Sequence, residues 1–369
     1  MASQPRQKTP SFSHALPPLG LSHCPGPSSS VSLAPVAVPT AAGMSMTLGI
    51  LSNVVALLIL AKAYNRFRRR SKATFLLLAS TLVATDLVGH VIPGALVLRL
   101  YLTGTPEPPD AACLVLGGSM VFFGLCPLFL GSAMAAERCL GVTRPLLHAR
   151  LVTTARTQLG VALIWLGALG VALLPALRLG AYSPQFPGTW CFIHVLGAVG
   201  SPDMALVVLF SGLGLASLSV SLLCNTVSGV TLVRARLRQR RYSQRCSQRR
   251  SAKAHDIEMV VQLLGIMVTS CICWSPLLVF GLMSVSRSWR GALGADITYY
   301  RELMRLGVRM ATWNQILDPW VYILLRRAIL RRIYRLTKRH ASFRGGAFRS
   351  SRWEASSFVS SEKSTANKI

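Results

Sequence analysis

Residues 113–139 read CLVLGGSMVFFGLCPLFLGSAMAAERC, and no charged side chain occurs before Glu137. Crossing the hydrocarbon core of a bilayer takes about 20 apolar residues, so this run is long enough to span one. Comparable runs recur at about 43–63, 74–100, 157–179, 203–233, 256–284 and 300–325. Backbone polar groups in lipid must be satisfied within the segment, which makes each run a helix. The sequence therefore predicts an all-α chain, a seven-transmembrane helix bundle over residues 43–325.

Composition agrees. The 369 residues are 51 % apolar and 14 % charged, with a mean hydropathy of +0.46. A net charge of +28 invites comparison with nucleic-acid binders. The basic residues, however, lie in short bursts between apolar runs, without an aromatic stacking platform, so no nucleic-acid partner is expected. The first connection holds Lys62, Arg66, Arg68, Arg69, Arg70 and Lys72, and another runs from Arg234 to Lys253 with nine basic positions. Residues 102–112 carry none, and the amino-terminal segment only Arg6 and Lys8. Basic loops stay in the cytoplasm, which predicts an extracellular amino terminus.

Residues 1–42 are rich in Ser and Pro and read as a disordered extracellular tail without a cleavable signal. Residues 326–337 read as a basic amphipathic helix on the inner membrane surface, in contact with lipid. Residues 338–369, rich in Ser, read as a disordered cytoplasmic tail.

Of nine cysteines, that topology exposes only Cys24, Cys113 and Cys191 to an oxidising exterior. A Cys113–Cys191 bond would pin the connecting loop over the bundle. The alternatives leave both free or use Cys24, which lies in the Pro/Ser-rich tail.

Polar residues inside the spans are costly and mark function by default. Asn53, Asp86, Asn314 and Asp318 form a predicted polar cluster, either a cation or proton site or interhelical hydrogen-bond glue. His90 reads as a packed polar residue. Pro276, following Cys273-Trp274-Ser275, predicts a kink where a helix can swing, with Trp274 placed to feel ligand packing. Pro319 supplies another kink.

Arg309 lies ten positions before Pro319, about 15 Å along a helix, flanked by Leu306, Val308, Met310 and Ala311. A guanidinium held short of water by such neighbours suits a carboxylate, to which it can donate two parallel bonds. Arg301 and Arg305 read instead as snorkelling to headgroups. Tyr101, ending the second span, offers a hydroxyl to the same anion or an interfacial anchor. At the end of the third span, Glu137 can hold Arg138 until a conformational change releases it toward a partner.

Glu137-Arg138-Cys139, Cys273-Trp274-Ser275-Pro276 and Asp318-Pro319-Trp320-Val321-Tyr322 resemble the rhodopsin-like receptor pattern. Gly188-Thr189-Trp190-Cys191-Phe192 and the run from Arg309 to Trp320 are similar to those of prostanoid receptors, over nearly all of residues 43–340. Within that family, Gly89–Tyr101, Ala254–Met259 and Trp353–Ser357 look most like E-type receptors of subtype one, whereas the first span through Lys62-Ala63-Tyr64 looks closer to F-type receptors. The resemblance implies that Arg309, Thr189 and Tyr101 hold a prostaglandin carboxylate, with prostaglandin E2 the expected ligand and prostaglandin F the alternative. It also implies a plasma-membrane receptor that is not an enzyme and needs no cofactor or metal. Asp86, Trp274, Pro276, Asn314, Asp318 and Tyr322 are then activation-switch residues. Glu137 and Arg138 couple to a heterotrimeric G protein of the Gq class, raising cytosolic calcium, and arrestin is a further partner. Two features depart from it: a short third cytoplasmic loop and missing glycosylation sequons.

Rival classes fare worse. A retinal photoreceptor needs a lysine in the seventh span, and residues 306–325 contain none. No duplicated half suggests a transporter, no polar ring a channel, and no nucleophile–base pair or metal motif an intramembrane enzyme.

Overall fold

The computed structural model describes residues 39–67, 73–103, 110–186, 188–196, 199–242, 250–290 and 297–324. The expected surface helix at 326–337, the tail at 338–369 and residues 1–38 of the amino-terminal tail lie outside the described residues.

The helices are α1 (Pro39–Phe67), α2 (Ala73–Thr103), α3 (Asp110–Thr143), α4 (Pro145–Leu151), α5 (Thr154–Leu173), α6 (Ser201–Tyr242), α7 (Arg250–Trp289) and α8 (Ile297–Leu324). An antiparallel hairpin of β1 (Tyr182–Gln185) and β2 (Trp190–Ile193) lies between α5 and α6. The all-α seven-helix expectation holds, with α4 and the hairpin as additions that no apolar run could signal. Among the described residues, six helices are long and apolar enough to cross a membrane by length and composition. The seventh, α8, has the length but carries Arg301, Glu302, Arg305, Arg309 and Asp318.

Element edges follow local chemistry. Helix α1 begins at Pro39, inside the stretch expected to be tail, because proline is tolerated in a first turn whose N–H groups lack partners anyway. Thr153 caps α5 by accepting a hydrogen bond from the Arg156 N–H. Beyond Leu173 the chain tightens into a 3₁₀ turn, Leu174–Leu177, and Arg178 turns left-handed at φ 62°.

Helix α3 is the central post, packing against α2, α4, α5, α6 and both strands, while α8 closes the ring between α7 and α1. One apolar core joins Leu125, Phe210, Trp274 and Leu278 to the hairpin residues Trp190 and Phe192, and a second joins α1 and α2 around Ala56, Leu82 and Val83. The surface is inverted relative to a water-soluble domain. Leu58, Leu159, Leu163, Leu166 and Leu223 are each at least 60 % exposed, as residues facing lipid tails are.

Two of the close approaches made by glycine position the site. A Cβ on Gly307 would stand 2.9 Å from the Leu277 Cα, so α7 and α8 meet backbone to backbone beside Pro276. A Cβ on Gly117 would stand 2.5 Å from the Tyr182 ring, where β1 lies on α3.

Candidate functional site

The hairpin seals one end of the bundle. Cys191 of β2 is disulfide-bonded to Cys113 at the start of α3, with the Cα atoms 5.3 Å apart. All four residues of β2 are buried, and the Phe192 ring meets Phe210 edge-on at 5.5 Å. The Tyr182 hydroxyl donates to the Ala172 carbonyl at 2.9 Å, and burial pushes its phenol up, which keeps the donor protonated. At the turn, Thr189 has its hydroxyl buried without a hydrogen-bond partner among the described residues. A desolvated, unpaired hydroxyl costs free energy until something bonds it.

Tyr101 is half-buried near the end of α2. Arg309 sits at the middle of α8, and among the described residues it makes no ion pair or hydrogen bond. Its expected shielding is not met. Arg309 is exposed and shares an outward stripe with Leu306, Trp313, Leu317 and Trp320. Those apolar neighbours lie above and below it on one helix face, so they flank the guanidinium without covering it. Nearer the end of α8, Arg305 pairs with Glu302 instead of standing alone. Arg301 borders a cavity of about 240 Å³ against the hairpin residues Ser183, Gln185 and Gly188.

Trp274 of α7 is 2 % exposed, and its indole faces the α3 backbone: a Cβ on Gly124 would lie 3.3 Å from Cη2. Pro276 lies inside an α7 that continues to Trp289.

Deeper in the bundle, Asn53, Asp86, Asn314 and Asp318 are all 4 % exposed or less. Asn314 Nδ2 donates to Asp318 Oδ2 at 2.8 Å. Both Asp86 oxygens, Asp318 Oδ1, Asn314 Oδ1 and Asn53 Oδ1 have no hydrogen-bond partner among the described residues. A set of unpaired carboxylate and amide oxygens is the donor set that hard cations take. A cavity of about 30 Å³ borders Asn314 and Asp318, reaching Asn225 on α6.

Gln315 joins three helices through carbonyls that proline sets free. Pro127 has no N–H for the Phe123 carbonyl, and Gln315 Nε2 donates to that oxygen at 2.8 Å. Pro319 leaves the Gln315 carbonyl equally unused, and Asn53 Nδ2 donates to it at 3.2 Å.

At the opposite end from the hairpin, Glu137 is 9 % exposed and shared by several groups. Its Oε2 lies 3.5 Å from Arg138 Nε. Its Oε1 lies 3.1 Å from His148 Nε2 of α4 and accepts from the Thr74 hydroxyl at 3.3 Å. The Arg138 guanidinium also stacks 3.5 Å over the Phe75 ring. Sequence reading missed His148, Thr74 and Gln315. Pro145 after Arg144 was the available signal for a helix start that would have brought His148 back toward Glu137. For Tyr322 only its place in α8 is described.

A family model described as "7 transmembrane receptor (rhodopsin family)" matches residues 52–322. The prostaglandin E2 receptor EP1 subtype of Canis lupus familiaris is 50 % identical over 367 residues, covering 88 % of this chain and 89 % of that protein. The Homo sapiens EP1 subtype is 48 % identical, covering 87 % and 89 %. The prostaglandin F2-alpha receptor of Homo sapiens is 46 % identical over 295 residues, covering 79 % of each. Among solved structures, squid rhodopsin matches with a TM-score of 0.64 and 16 % identity over 79 % of each chain, a likeness of fold.

Proposed function

Because the chain belongs to the rhodopsin-family seven-transmembrane receptors, and within them to the prostaglandin receptors, we propose that it is a plasma-membrane receptor for prostaglandin E2. Its amino terminus is extracellular, its hairpin faces outward, and the end carrying Arg138 faces the cytoplasm. The ligand carboxylate pairs with Arg309 on the exposed face of α8, with Thr189 and Tyr101 supplying hydroxyls.

The observation that supports this chemistry most is the Arg309 guanidinium at mid-helix with no protein counter-ion among the described residues. A charge at that depth is stabilised by an anion that shares its apolar surroundings, and a lipid acid is one. The unpaired hydroxyl of Thr189 adds a donor in need of an acceptor.

Ligand binding favours a state in which α7 swings at Pro276, past Trp274, and Arg138 leaves Glu137 for a G protein of the Gq class, raising cytosolic calcium. Only tighter binding to one state than the other can drive that shift. The cluster of Asp86, Asn314 and Asp318 holds a cation or proton in the resting state, and Tyr322 belongs to the same switch. Arrestin engages the same cytoplasmic end after activation.

The similarity to F2-alpha receptors makes prostaglandin F the competing ligand. A competition panel of prostaglandins on cells expressing the chain, read by calcium release, decides between them. Prostaglandin E2 is expected to be the most potent. Higher potency of prostaglandin F reassigns the receptor, and silence across the panel rejects the prostaglandin reading.

A further inference from the structure

The cavity of about 240 Å³ between the hairpin and α8 has two kinds of wall. Ser183, Gln185 and Arg301 make it polar on one side, and Pro184, Phe186 and Leu196 make it apolar on the other. Among the described residues no acid lines it.

The polar groups are arranged to donate. Gln185 is 7 % exposed, and its Nε2 donates to the Ser183 hydroxyl oxygen at 3.0 Å, with the Ser183 and Ile193 carbonyls at 3.3 and 3.5 Å. A hydroxyl that accepts a bond still has its own proton to give, and that of Ser183 meets no acceptor among the described residues. Arg301 is exposed and makes no ion pair or hydrogen bond among the described residues. The acid beside it in the chain, Glu302, is engaged by Arg305. The cavity thus presents a guanidinium and a hydroxyl proton, and the nearest carboxylate in sequence is already offset.

Size narrows the occupant. A water molecule takes about 30 Å³ of liquid, so the space suits about eight non-hydrogen atoms. A prostaglandin has roughly three times that number and does not fit, which sets this cavity apart from the site around Arg309. An inorganic anion would satisfy the donors and leave the apolar wall bare. We propose that the cavity is a binding site for a short-chain monocarboxylate. The acid group takes charge-assisted bonds from Arg301, whose planar fork matches a carboxylate, and a further bond from the Ser183 hydroxyl. The hydrocarbon chain lies against Pro184, Phe186 and Leu196. An occupant held in this way links β1 to α8, the helix that carries Arg309. The inference stands apart from the prostaglandin reading and survives its failure.

The test is saturation-transfer NMR of hexanoate with the full-length receptor in phosphatidylcholine nanodiscs, with empty nanodiscs as the blank. Hexanoate, with about eight non-hydrogen atoms, matches the space. The wild type should bind it saturably with a dissociation constant on the order of millimolar, as a ligand of that size allows. Arg301→Gln should weaken binding at least about tenfold, and Ser183→Ala about threefold. Arg290→Gln, which removes an exposed arginine outside the cavity, should bind as the wild type does. Hexanol, which has the chain without the charge, should give no saturable signal. A wild-type signal no larger than the blank overturns the proposal. So does hexanol binding as well as the acid, which would make the cavity merely apolar. An equal loss in Arg290→Gln and Arg301→Gln would reduce the effect to general charge attraction and overturn it too. If the unfolding temperature shows that Arg301→Gln has not folded, Ser183→Ala decides, and unchanged affinity there overturns the site.

Discussion

Asn53 of α1 donates its amide N–H to the backbone carbonyl of Gln315 in α8, an oxygen that Pro319 cannot serve. The bond repairs a gap in a membrane helix with a side chain from another span. Asn53→Ala strands the carbonyl, at a cost of about 1–3 kcal/mol. Restoring the local donor with Pro319→Ala should shrink that cost, because the residue 319 N–H then reaches the same oxygen. Thermal unfolding of the two single variants and the double variant checks this, and equal losses from Asn53→Ala in both backgrounds would refute it.

Arg309→Gln should weaken binding of the free acid by about a hundredfold, the equivalent of roughly 3 kcal/mol for a lost charged, bidentate contact. A prostaglandin methyl ester should bind the wild type poorly and lose little more on the variant. The check is competition binding with surface expression counted in parallel. An ester that loses as much affinity as the acid would mean that Arg309 acts through folding or packing.

Removing the Cys113–Cys191 bond releases a hairpin whose strand β2 is buried throughout. The bond closes a loop with a sequence separation of 78, for which the chain-entropy estimate is about 4.5 kcal/mol. Cys113→Ser, or mild reduction, should lower the unfolding temperature and abolish high-affinity binding together. Binding that survives reduction at full strength would show that the apolar contacts of Trp190 and Phe192 suffice.

The helices were legible because a span needs an apolar run and little else, as residues 113–139 show. The face that each residue occupies was not legible. Lipid and protein interior are both apolar, so Leu306 and Trp313 beside Arg309 gave no sign of pointing outward. Partners far apart in the chain were equally silent: Thr74 and Glu137 meet across a separation of 63 and Gln315 and Phe123 across 192. The four-residue strands are too short for alternation to register, although Cys191 marked their place.

Asp86→Asn tests the buried acceptors at the centre of the bundle. In the wild type, raising sodium from near zero to about 0.15 M at constant ionic strength should lower prostaglandin affinity about fivefold, within the usual span of coupling between sites. The variant should show no such dependence. Competition binding with an organic cation as the replacement salt measures it, and identical sodium curves would assign Asp86 to packing alone.

Gly307 and Leu277 touch backbone to backbone one residue past Pro276, which fixes a fulcrum on α7. From there the helix runs 12 residues to Trp289 and 27 to Arg250, arms of about 18 and 40 Å. Such a lever is unequal. A tilt forced on the tip of the short arm arrives at the far tip reversed in direction and more than doubled in size.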